Sequence, residues 1–269
     1  MFRFGIVPEI HIGRHRIIYN WWDYFLPRSS HEVVGVAIEK RLQELVERLN
    51  NSQIDFVISV GDLTDSMTDS QVKTVKKIMR HLRVPWVPLM GNHDIWPYEY
   101  NKEGRVLWNA NQPIDFREFK KRFKEEFHRS QGVFKEWKEQ GDFFQNISFI
   151  YSDTKFIVVD NVSRRRALFG LPGNIGFDKL HRESLQWLHE ELKTPEKKIV
   201  ILSHHPLKIK LQINKKILKI AGHRHKFKIQ KNKNTISVVT NALYVTPEYQ
   251  IITVDSDFAI SLNYLYGWM

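Results

Sequence analysis

The stretch IDFVISVGDLTD, from Ile54 to Asp65, contains a short apolar run that stops at a glycine and passes directly to a carboxylate. The run Phe56–Val60 is rich in β-branched and aromatic residues, which is typical of a strand buried on both faces. Open α/β sheets bind ligands at the carboxyl ends of their strands. Asp62 is therefore predicted to lie where chemistry is done, whereas Gly61-Asp62 taken alone would indicate only a turn.

Alternating apolar runs and helical stripes lie on both sides of this stretch. Strand–helix repetition of this kind predicts a parallel sheet with right-handed crossovers. The predicted helices and strands are Phe2–Val7, His31–Asn50, Asp69–Leu82, Pro85–Met90, Asp178–Leu192, Lys198–Leu202 and Ile217–Ala221. A hairpin is predicted about Asp153-Thr154. Three C-terminal segments are predicted to be antiparallel strands that complete a sheet, namely Ile236–Thr240, Tyr249–Asp255 and Phe258–Leu265.

Residues 95–141 interrupt this repetition. They contain Trp96, Tyr98 and Trp108, and then a charged helix predicted from Phe116 to Phe134. Phenylalanines at helical spacing in this helix are predicted to pack onto the body of the protein. The chain is therefore predicted to be a single domain, residues 1–269, with a helical and aromatic insertion at about residues 95–141 that caps the site.

The composition limits the class of protein. A chain of 269 residues with 42% hydrophobic residues is long enough for one large domain with a substantial core. No apolar run is long enough to span a bilayer, and the first residues enter a strand without the regions of a signal peptide, which favours a cytoplasmic protein. The absence of cysteine excludes disulfides and thiolate zinc sites. The net charge of +11 favours anionic substrates, but it does not distinguish phosphate esters from nucleic acid.

Five polar segments follow predicted strands and carry side chains that bind metals. They are E-x-H at residues 9–11, G-D at 61–62, G-N-H-D at 91–94, S-H-H-P at 203–206 and G-H-x-H at 222–225. Glu9 and His11 are two residues apart, as are His223 and His225, so in an extended backbone the side chains of each pair leave the same face. Each segment alone is a weak signal, but strand ends would bring all five to one edge.

In this order and placement, the five segments resemble those of the calcineurin-like metallophosphoesterase superfamily. The resemblance covers the chain from about Phe4 to the last strands, and residues 95–141 only weakly. It implies an α/β fold, a four-layered α/β/β/α sandwich with a two-metal site among its loops. It also implies two ligand sets that share Asp62, of which the first is Glu9, His11, Asp62 and His225, and the second is Asp62, Asn92, His204 and His223.

The resemblance further implies a reaction. Two cations would share a water, lower its pKa and direct the bridging hydroxide at phosphorus, in line with the leaving group. His93 would stabilise or protonate the leaving oxygen, and Asp65 would orient His93. A bridging carboxylate with neutral nitrogen and oxygen donors suits Mn, Fe, Co, Ni or Zn better than Mg or Ca. Two divalent or trivalent transition-metal ions are therefore the expected cofactors.

One position departs from the family pattern. The family usually has aspartate where this chain has Glu9, which follows Pro8. Glutamate is one methylene longer, so it can ligate only if the loop recedes or the metal shifts. We therefore hypothesise that the protein keeps two metals and holds the first more weakly.

Two other positions bear on the substrate. Protein serine/threonine phosphatases of the family carry G-D-x-V-D-R-G and G-N-H-E, whereas this chain has Ser66 in place of the arginine and Asp94 in place of the glutamate. The G-N-H-D and S-H-H-P forms look more like the branch that contains cyclic-nucleotide and glycerophosphodiester phosphodiesterases. The sequence therefore predicts a phosphodiesterase that acts on an anionic phosphoester.

Three alternatives stay open, namely a phosphomonoesterase of the same superfamily, a nuclease or nucleic-acid-binding protein, and a catalytically impaired interaction module. The nucleic-acid alternative is favoured by the net charge, by the lysines between Leu207 and Lys233, and by Trp96, Tyr98 and Trp108 as stacking platforms.

Candidate substrate contacts lie in two places. The loop of residues 161–176 carries Arg164, Arg165 and Arg166, and it is predicted either to cradle an anion or to be a solvated loop. His205 has no ligand role in the family pattern, so it is predicted to contact substrate, to support the site or to pack.

Overall fold

The computed structural model describes residues 1–14, 34–96, 99–100, 106–107, 113–164, 180–209, 211 and 213–265, and it contains two large sheets. The first sheet has five strands in the order β14 (Phe258–Tyr264), β13 (Glu248–Val254), β1 (Phe2–Val7), β2 (Phe56–Ser59) and β3 (Trp86–Val87). The second has seven strands in the order β11 (Lys228–Lys231), β12 (Thr235–Val239), β10 (Lys216–Ala221), β9 (Lys198–Ser203), β8 (Thr154–Val158), β7 (Ile147–Tyr151) and β6 (Lys135–Glu139). A separate pair consists of β4 (Glu99–Tyr100) and β5 (Val106–Leu107).

Six helices lie in the described residues. They are α1 (Val34–Asn50), α2 (Asp69–Met79), α3 (Asn92–Ile95), α4 (Phe116–Arg122), α5 (Lys124–Gln131) and α6 (Arg182–Glu191). The start of the helix predicted from His31 lies outside the described residues, as does the start of the helix predicted from Asp178. Among the helices described, none combines the length and apolarity needed to cross a membrane.

The two sheets pack face to face through aromatic side chains. Phe4 of β1 and Phe56 of β2 stack with their ring centroids 5.3 Å apart, and both contact the ring of Phe156 on β8, at 5.4 and 5.5 Å. All three rings are fully buried, and burial of each side chain contributes about 1.5–3 kcal/mol to stability.

Helices cover the outer faces of both sheets. α1 and α2 contribute apolar side chains to the core that contains the first sheet, whereas Leu188 and Leu192 from α6 and its C-terminal end pack against Ile199 and Ile201 of β9. The result is the predicted four-layered α/β/β/α sandwich.

The strands that precede the polar segments run parallel. β1 pairs with β2, and β2 pairs with β3, while β9 lies between β8 and β10 in the second sheet. The antiparallel prediction for Ile236–Thr240 was confirmed only in part, because β12 pairs antiparallel with β11 but parallel with β10. The chain leaves β10, forms β11 at the edge of the sheet and returns antiparallel along β12, which therefore lies between β10 and β11. Strands β13 and β14 are antiparallel, as predicted.

The segment predicted as one helix from Phe116 to Phe134 forms α4 and α5 instead. The helices separate at Phe123, whose φ of −109° and ψ of 32° are not helical. The phenylalanines pack onto the body as predicted, since Phe116, Phe119, Phe123 and Phe127 are all buried. The chain then forms β6, which pairs with β7 at the edge of the second sheet. A cap formed by residues 95–141 stays a prediction.

Candidate active site

The five polar segments all follow the carboxyl ends of parallel strands. Ser59 of β2 lies beside Val7 of β1, so the loops that leave these strands are neighbours. The backbone N–H groups of Ile10 and His11 donate to the carbonyl oxygen of Asp62, at 3.0 and 2.8 Å. The E-x-H loop is thereby fixed directly on the G-D loop.

Four of the predicted ligands have left-handed backbone conformations. The φ angles are 55° at His11, 50° at Asp62, 67° at His223 and 49° at His225. Such conformations cost about 1–3 kcal/mol each outside glycine and cluster at functional sites. The prediction that the paired ligands lie in extended backbone was therefore wrong, because the loops curl. The side chains still converge.

The first group of converging side chains contains Glu9, His11, Asp62 and His225, whose ligand atoms lie within 4.8 Å of one another. Oε2 of Glu9 lies 2.6 Å from Nε2 of His225 and 3.5 Å from Nε2 of His11. Both Glu9 oxygens and Nε2 of His11 are buried and make no hydrogen bond of acceptable geometry. Buried polar atoms in proteins are normally satisfied. Carboxylate and imidazole lone pairs that converge in this way fit a transition-metal cation.

The second group surrounds Asn92. Its Oδ1 lies 2.9 Å from Nε2 of His204 and 3.0 Å from Nδ1 of His223. The carbonyl oxygen of Val60 lies 2.9 Å from the other nitrogen of His204, which leaves Nε2 of His204 directed into the site.

Asp62 connects the two groups through one atom. Its Oδ2 lies 3.4 Å from Nε2 of His11 in the first group and 3.4 Å from Nε2 of His204 in the second. Its other oxygen, Oδ1, accepts a hydrogen bond from the backbone N–H of His93 at 2.8 Å. The carboxylate is therefore held in place on one side and faces both groups on the other. All seven residues predicted as ligands are brought together.

Glycines leave room for the two central carboxylates. A Cβ atom at Gly91 would lie 2.1 Å from Oδ1 of Asp62, and one at Gly222 would lie 2.3 Å from Oε1 of Glu9. A side chain at either position would collide with a carboxylate of the site. The space beside Gly222 holds the end of the glutamate side chain, which is one methylene longer than the aspartate of the family pattern.

His93 and Asp65 form a contact beside the two groups. Nδ1 of His93 lies 2.9 Å from the carbonyl oxygen of Asp65 and 3.2 Å from its Oδ1. The same Oδ1 lies 3.4 Å from Nδ1 of His11. Asp65 can therefore orient both imidazoles.

A family comparison bears directly on this arrangement. The family model of calcineurin-like phosphoesterases matches residues 2–228, which are most of the chain. The chain belongs to the calcineurin-like phosphoesterase family. This is a family of metal-dependent phosphoester hydrolases, and the converging carboxylate and imidazole side chains are of a kind that could hold metal ions.

A curated relative from Arcobacter nitrofigilis is named a probable glycerophosphodiester phosphodiesterase. The two sequences are 28% identical over 177 residues, which are 64% of this calcineurin-like chain and 50% of the relative. The chain thus spans about half the length of the curated relative that it matches.

Solved structures share the fold. A dimetal phosphatase from Danio rerio has a TM-score of 0.66 and 14% identity, over 98% of this chain and 96% of that chain. A purple acid phosphatase from yellow lupin seeds has a TM-score of 0.51 and 12% identity, over 98% of this chain and 51% of that chain. At these identities, the likeness shows a common calcineurin-like fold.

Electrostatics within the calcineurin-like site keep Asp62 ionised. Burial alone would raise the pKa of Asp62, but the nearby His204 and His11 hold it well below its usual range. Burial would lower the pKa of His204, yet the charge of Asp62 raises it to about 9. A coordinating imidazole must be neutral, so a metal held by His204 would require the imidazole in its deprotonated form.

The charge of Asp62 raises the pKa of both His93 and Asp94. Burial would lower the pKa of His93, but the charges of Asp62 and Asp65 raise it above its ordinary value. Burial and the charge of Asp62 raise the pKa of Asp94 to about 6. The Asp94 carboxylate accepts hydrogen bonds from the backbone N–H groups of Thr64 and Gly91, at 2.9 and 3.0 Å. Asp94 therefore holds the G-N-H-D loop against the G-D loop.

Sequence reasoning missed two residues that contact the ligands. The hydroxyl of Tyr244 lies 2.8 Å from Nδ1 of His225, and Nη1 of Arg14 lies 2.9 Å from Nδ1 of His11. The guanidinium of Arg14 also lies over the Tyr244 ring, 4.6 Å from its centroid. Tyr244 lies in the loop between β12 and β13, where no motif spacing indicated a role. Arg14 is three residues after His11, and that spacing alone was no signal.

The predicted substrate contacts are engaged with the protein itself. Both terminal nitrogens of Arg164 donate to the carboxylate of Asp160, at 2.6 Å each. His205 is buried and stacks on His223 with ring centroids 3.8 Å apart, while the side chain of Asn161 bonds its backbone N–H and carbonyl groups. Contact of Arg164 and His205 with substrate stays a prediction, and Arg165 and Arg166 lie outside the described residues.

Proposed function

We propose that the chain is a two-metal phosphodiesterase. Glu9, His11, Asp62 and His225 hold one cation, and Asp62, Asn92, His204 and His223 hold the other. The observation that supports this most strongly is the position of Asp62 Oδ2, which lies 3.4 Å from a ligand nitrogen of each group. The buried oxygens of Glu9 and Nε2 of His11 give further support, because they make no hydrogen bond and lie among the other proposed ligands.

When bound, the metal ions supply an acidified water as the nucleophile and neutralise the charge that develops on the phosphoryl oxygens. Ligands of this nitrogen and oxygen chemistry suit Mn, Fe, Co, Ni or Zn. The residues of the chain fix the geometry, since Asp62 is held by the N–H of His93 and the E-x-H loop is bonded to the carbonyl of Asp62.

His93 serves as the general acid. Asp65 contacts its Nδ1, and a protonated Nε2 would face the leaving oxygen. Because the charges of Asp62 and Asp65 raise the pKa of His93, more of the imidazole carries the second proton near neutral pH. Proton transfer from Nε2 to the leaving oxygen then lowers the barrier to cleavage.

A diester is the proposed substrate class for two reasons. The relative from Arcobacter nitrofigilis is named a probable glycerophosphodiester phosphodiesterase. The chain also has Ser66 where the protein phosphatases have arginine, so it lacks that cation for a doubly charged monoester. Phosphomonoester hydrolysis at the same site is the second candidate. The location in the cytoplasm stays a prediction, and cell fractionation tests it.

Hydrolysis of two chromogenic esters tests the diester proposal. We expect bis-p-nitrophenyl phosphate to be turned over with a higher kcat/KM than p-nitrophenyl phosphate in Mn²⁺, and EDTA to abolish both activities. A preference for the monoester would assign the site to a phosphatase. Activity that survives both EDTA and the Asp62→Asn substitution would show that the measured hydrolysis does not come from this site.

A further inference from the structure

The positive charge of the chain is concentrated in one segment. Residues 197–247 contain eleven lysines, one arginine and no aspartate or glutamate. Since the whole chain carries a net charge of +11, the residues outside this segment are close to neutral as a set. The segment forms β9, β10, β11 and β12, which are adjacent strands at one end of the seven-stranded sheet. The charge therefore lies on one side of the protein.

Several of these lysines are engaged within the protein. Lys198 pairs with Asp153 at 2.8 Å, and Lys216 pairs with Asp257 at 3.1 Å. Lys219 donates to the carbonyl oxygen of a loop residue, Ile209, at 2.6 Å. Four lysines are exposed and form no ion pair within 4.0 Å among the described residues, although the charge of Lys231 acts on Asp257; they are Lys226, Lys228, Lys231 and Lys233.

These four lysines lie on and beside the edge strand β11. This strand pairs only with β12, and all four of its residues are exposed. Lys226 follows the proposed ligand His225 directly. The backbone N–H of Phe227 donates to Oδ1 of Asn241 at 2.6 Å, which fixes the chain between the ligand and the strand. A strip of cations thus begins at the proposed metal centre and continues along the edge of the sheet.

Protection of an exposed sheet edge is the simplest explanation of such lysines, because charged side chains prevent edge-to-edge pairing. Edge protection concerns only β11, so it does not account for the absence of carboxylates throughout residues 197–247, most of which lie away from that edge. A small diester carries one charge and would be held by the metal centre alone. A strip that extends beyond the centre fits a ligand with many phosphates in a row.

We infer that β11, together with Lys226 and Lys233, binds the phosphate backbone of single-stranded nucleic acid and leads it to the metal centre. This inference rests on the proposed phosphodiesterase function and specifies its substrate. A single strand is favoured over a duplex because Asp62, Asn92 and His204 are buried, and only a flexible backbone can bend into a recessed site. Exposed aromatic side chains are absent from residues 226–233, so binding is electrostatic and tolerant of sequence.

Salt-dependent binding of a labelled oligothymidylate tests the inference. The Asp62→Asn background prevents cleavage, and affinity is measured by fluorescence anisotropy between about 50 and about 200 mM salt. Each phosphate contact to a single strand contributes about 0.7 to the slope of log affinity against log salt. We expect the triple change Lys228→Gln, Lys231→Gln and Lys233→Gln to reduce this slope by about 2.

A matched control removes three exposed lysines elsewhere, with Lys73→Gln, Lys77→Gln and Lys124→Gln, and it is expected to leave the slope almost unchanged. An equal reduction in both triple variants would show an effect of net charge only and would overturn the inference. The triple variant of Lys228, Lys231 and Lys233 is called the edge variant. The inference would also be overturned if the edge variant lost binding to phosphatidylserine vesicles while the salt dependence of its oligonucleotide affinity stayed unchanged.

Hydrolysis of bis-p-nitrophenyl phosphate separates this inference from the proposed function. With Asp62 intact, the edge variant is expected to retain the kcat/KM of the parent chain for this small diester and to cleave the oligonucleotide with a higher KM. If the parent chain hydrolyses no diester but the slope of log affinity against log salt is still smaller in the edge variant, the phosphodiesterase proposal fails and the binding surface is supported. If the small diester is hydrolysed and the slope is unaffected, the binding surface alone fails.

Discussion

The hydroxyl oxygen of Tyr244 lies 2.8 Å from Nδ1 of His225, and Nε2 of the same ring lies 2.6 Å from Oε2 of Glu9. A histidine that binds metal through one nitrogen is normally oriented by a hydrogen bond at the other. Tyr244 is itself held, because Nη1 of Arg41 donates to the carbonyl oxygens of Leu243 and Tyr244, at 2.8 and 2.9 Å. Helix α1 thus supports the orientation of a proposed ligand through Tyr244.

We call the cation held by Glu9, His11, Asp62 and His225 the first cation. The substitution Tyr244→Phe is expected to lower the affinity for the first cation by roughly 10-fold or more, because loss of such a supporting bond typically costs 10–100-fold in metal affinity. Isothermal titration calorimetry with Mn²⁺ measures the affinity of both sites, and the affinity of the second site is expected to change little. Tyr151→Phe is the control, since its hydroxyl contacts Asp55 before the start of β2, at the opposite end from the site. Equal affinities in Tyr244→Phe and the control would remove this role from Tyr244.

Glu9 and Gly222 are expected to be energetically coupled. A methyl group at position 222 would lie 2.3 Å from Oε1 of Glu9, so Gly222→Ala should displace the carboxylate and lower the affinity for the first cation. In a Glu9→Asp background the shorter side chain leaves more space, and Gly222→Ala should then cause a smaller loss of Mn²⁺ affinity. A double-mutant cycle of Mn²⁺ affinities measures the difference, and a coupling of zero would contradict the assigned packing.

The same cycle tests the hypothesis that Glu9 weakens the first site. Its Glu9→Asp arm is expected to bind the first cation more tightly and to raise the rate at limiting metal. Unchanged metal content and an unchanged rate would end that hypothesis.

Asp65 is expected to act on catalysis through His93. His93→Gln should lower kcat by roughly 10²–10⁴, the usual contribution of a general acid, while both metals stay bound. Asp65→Asn should lower kcat less, since the backbone carbonyl of Asp65 still contacts Nδ1 of His93 at 2.9 Å.

The double variant decides whether the two residues act together. If Asp65 works by orienting His93, Asp65→Asn should have little further effect in the His93→Gln background. Metal content is measured in each variant, because Asp65 also contacts His11. Effects on kcat that multiply fully would indicate independent roles.

The buried pair of Asp160 and Arg164 is expected to make stability depend on pH. Burial would raise the pKa of Asp160, but the adjacent guanidinium lowers it below its ordinary value. The folded state therefore gains stability above the unfolded pKa of about 3.9 and loses it as the pH falls through the lowered folded pKa. Asp160→Asn should lower the free energy of unfolding by about 3 kcal/mol at neutral pH, and by less below pH of about 4.

Urea denaturation across this pH range measures the difference between wild type and Asp160→Asn. A difference that stays constant down to acidic pH would contradict the ion-pair explanation. Arg164→Gln provides a second reading, since it should also destabilise the protein. A higher KM for the diester without any loss of stability would instead assign the guanidinium to substrate.

The sequence was sufficient to predict that the seven side chains converge, whereas their division into two ligand sets came from the family resemblance and stays a prediction. Asp62, Asn92 and His204 each follow an apolar run, and the carboxyl ends of parallel strands meet at one edge. The backbone at His11 and His225 was not predictable in this way, since residues other than glycine adopt a positive φ only where the surrounding structure compensates its cost.

Other features depend on contacts between residues far apart in the chain. Tyr244 is 19 residues from His225, and no periodicity or motif connects them. Strand β11 has a charged and exposed sequence, which gives no apolar alternation to detect, and its position at the edge also determines the direction of β12. The break at Phe123 is similar, because the phenylalanine spacing on both sides continues one helical pattern.

Electron paramagnetic resonance of the chain titrated with Mn²⁺ is the most direct test of the central claim, that two cations share Asp62. We expect two Mn²⁺ ions per chain with exchange-coupled spins in the wild type, and loss of the coupling in Asp62→Asn. A single bound ion in the wild type, or two ions with the spectra of isolated Mn²⁺, would contradict it.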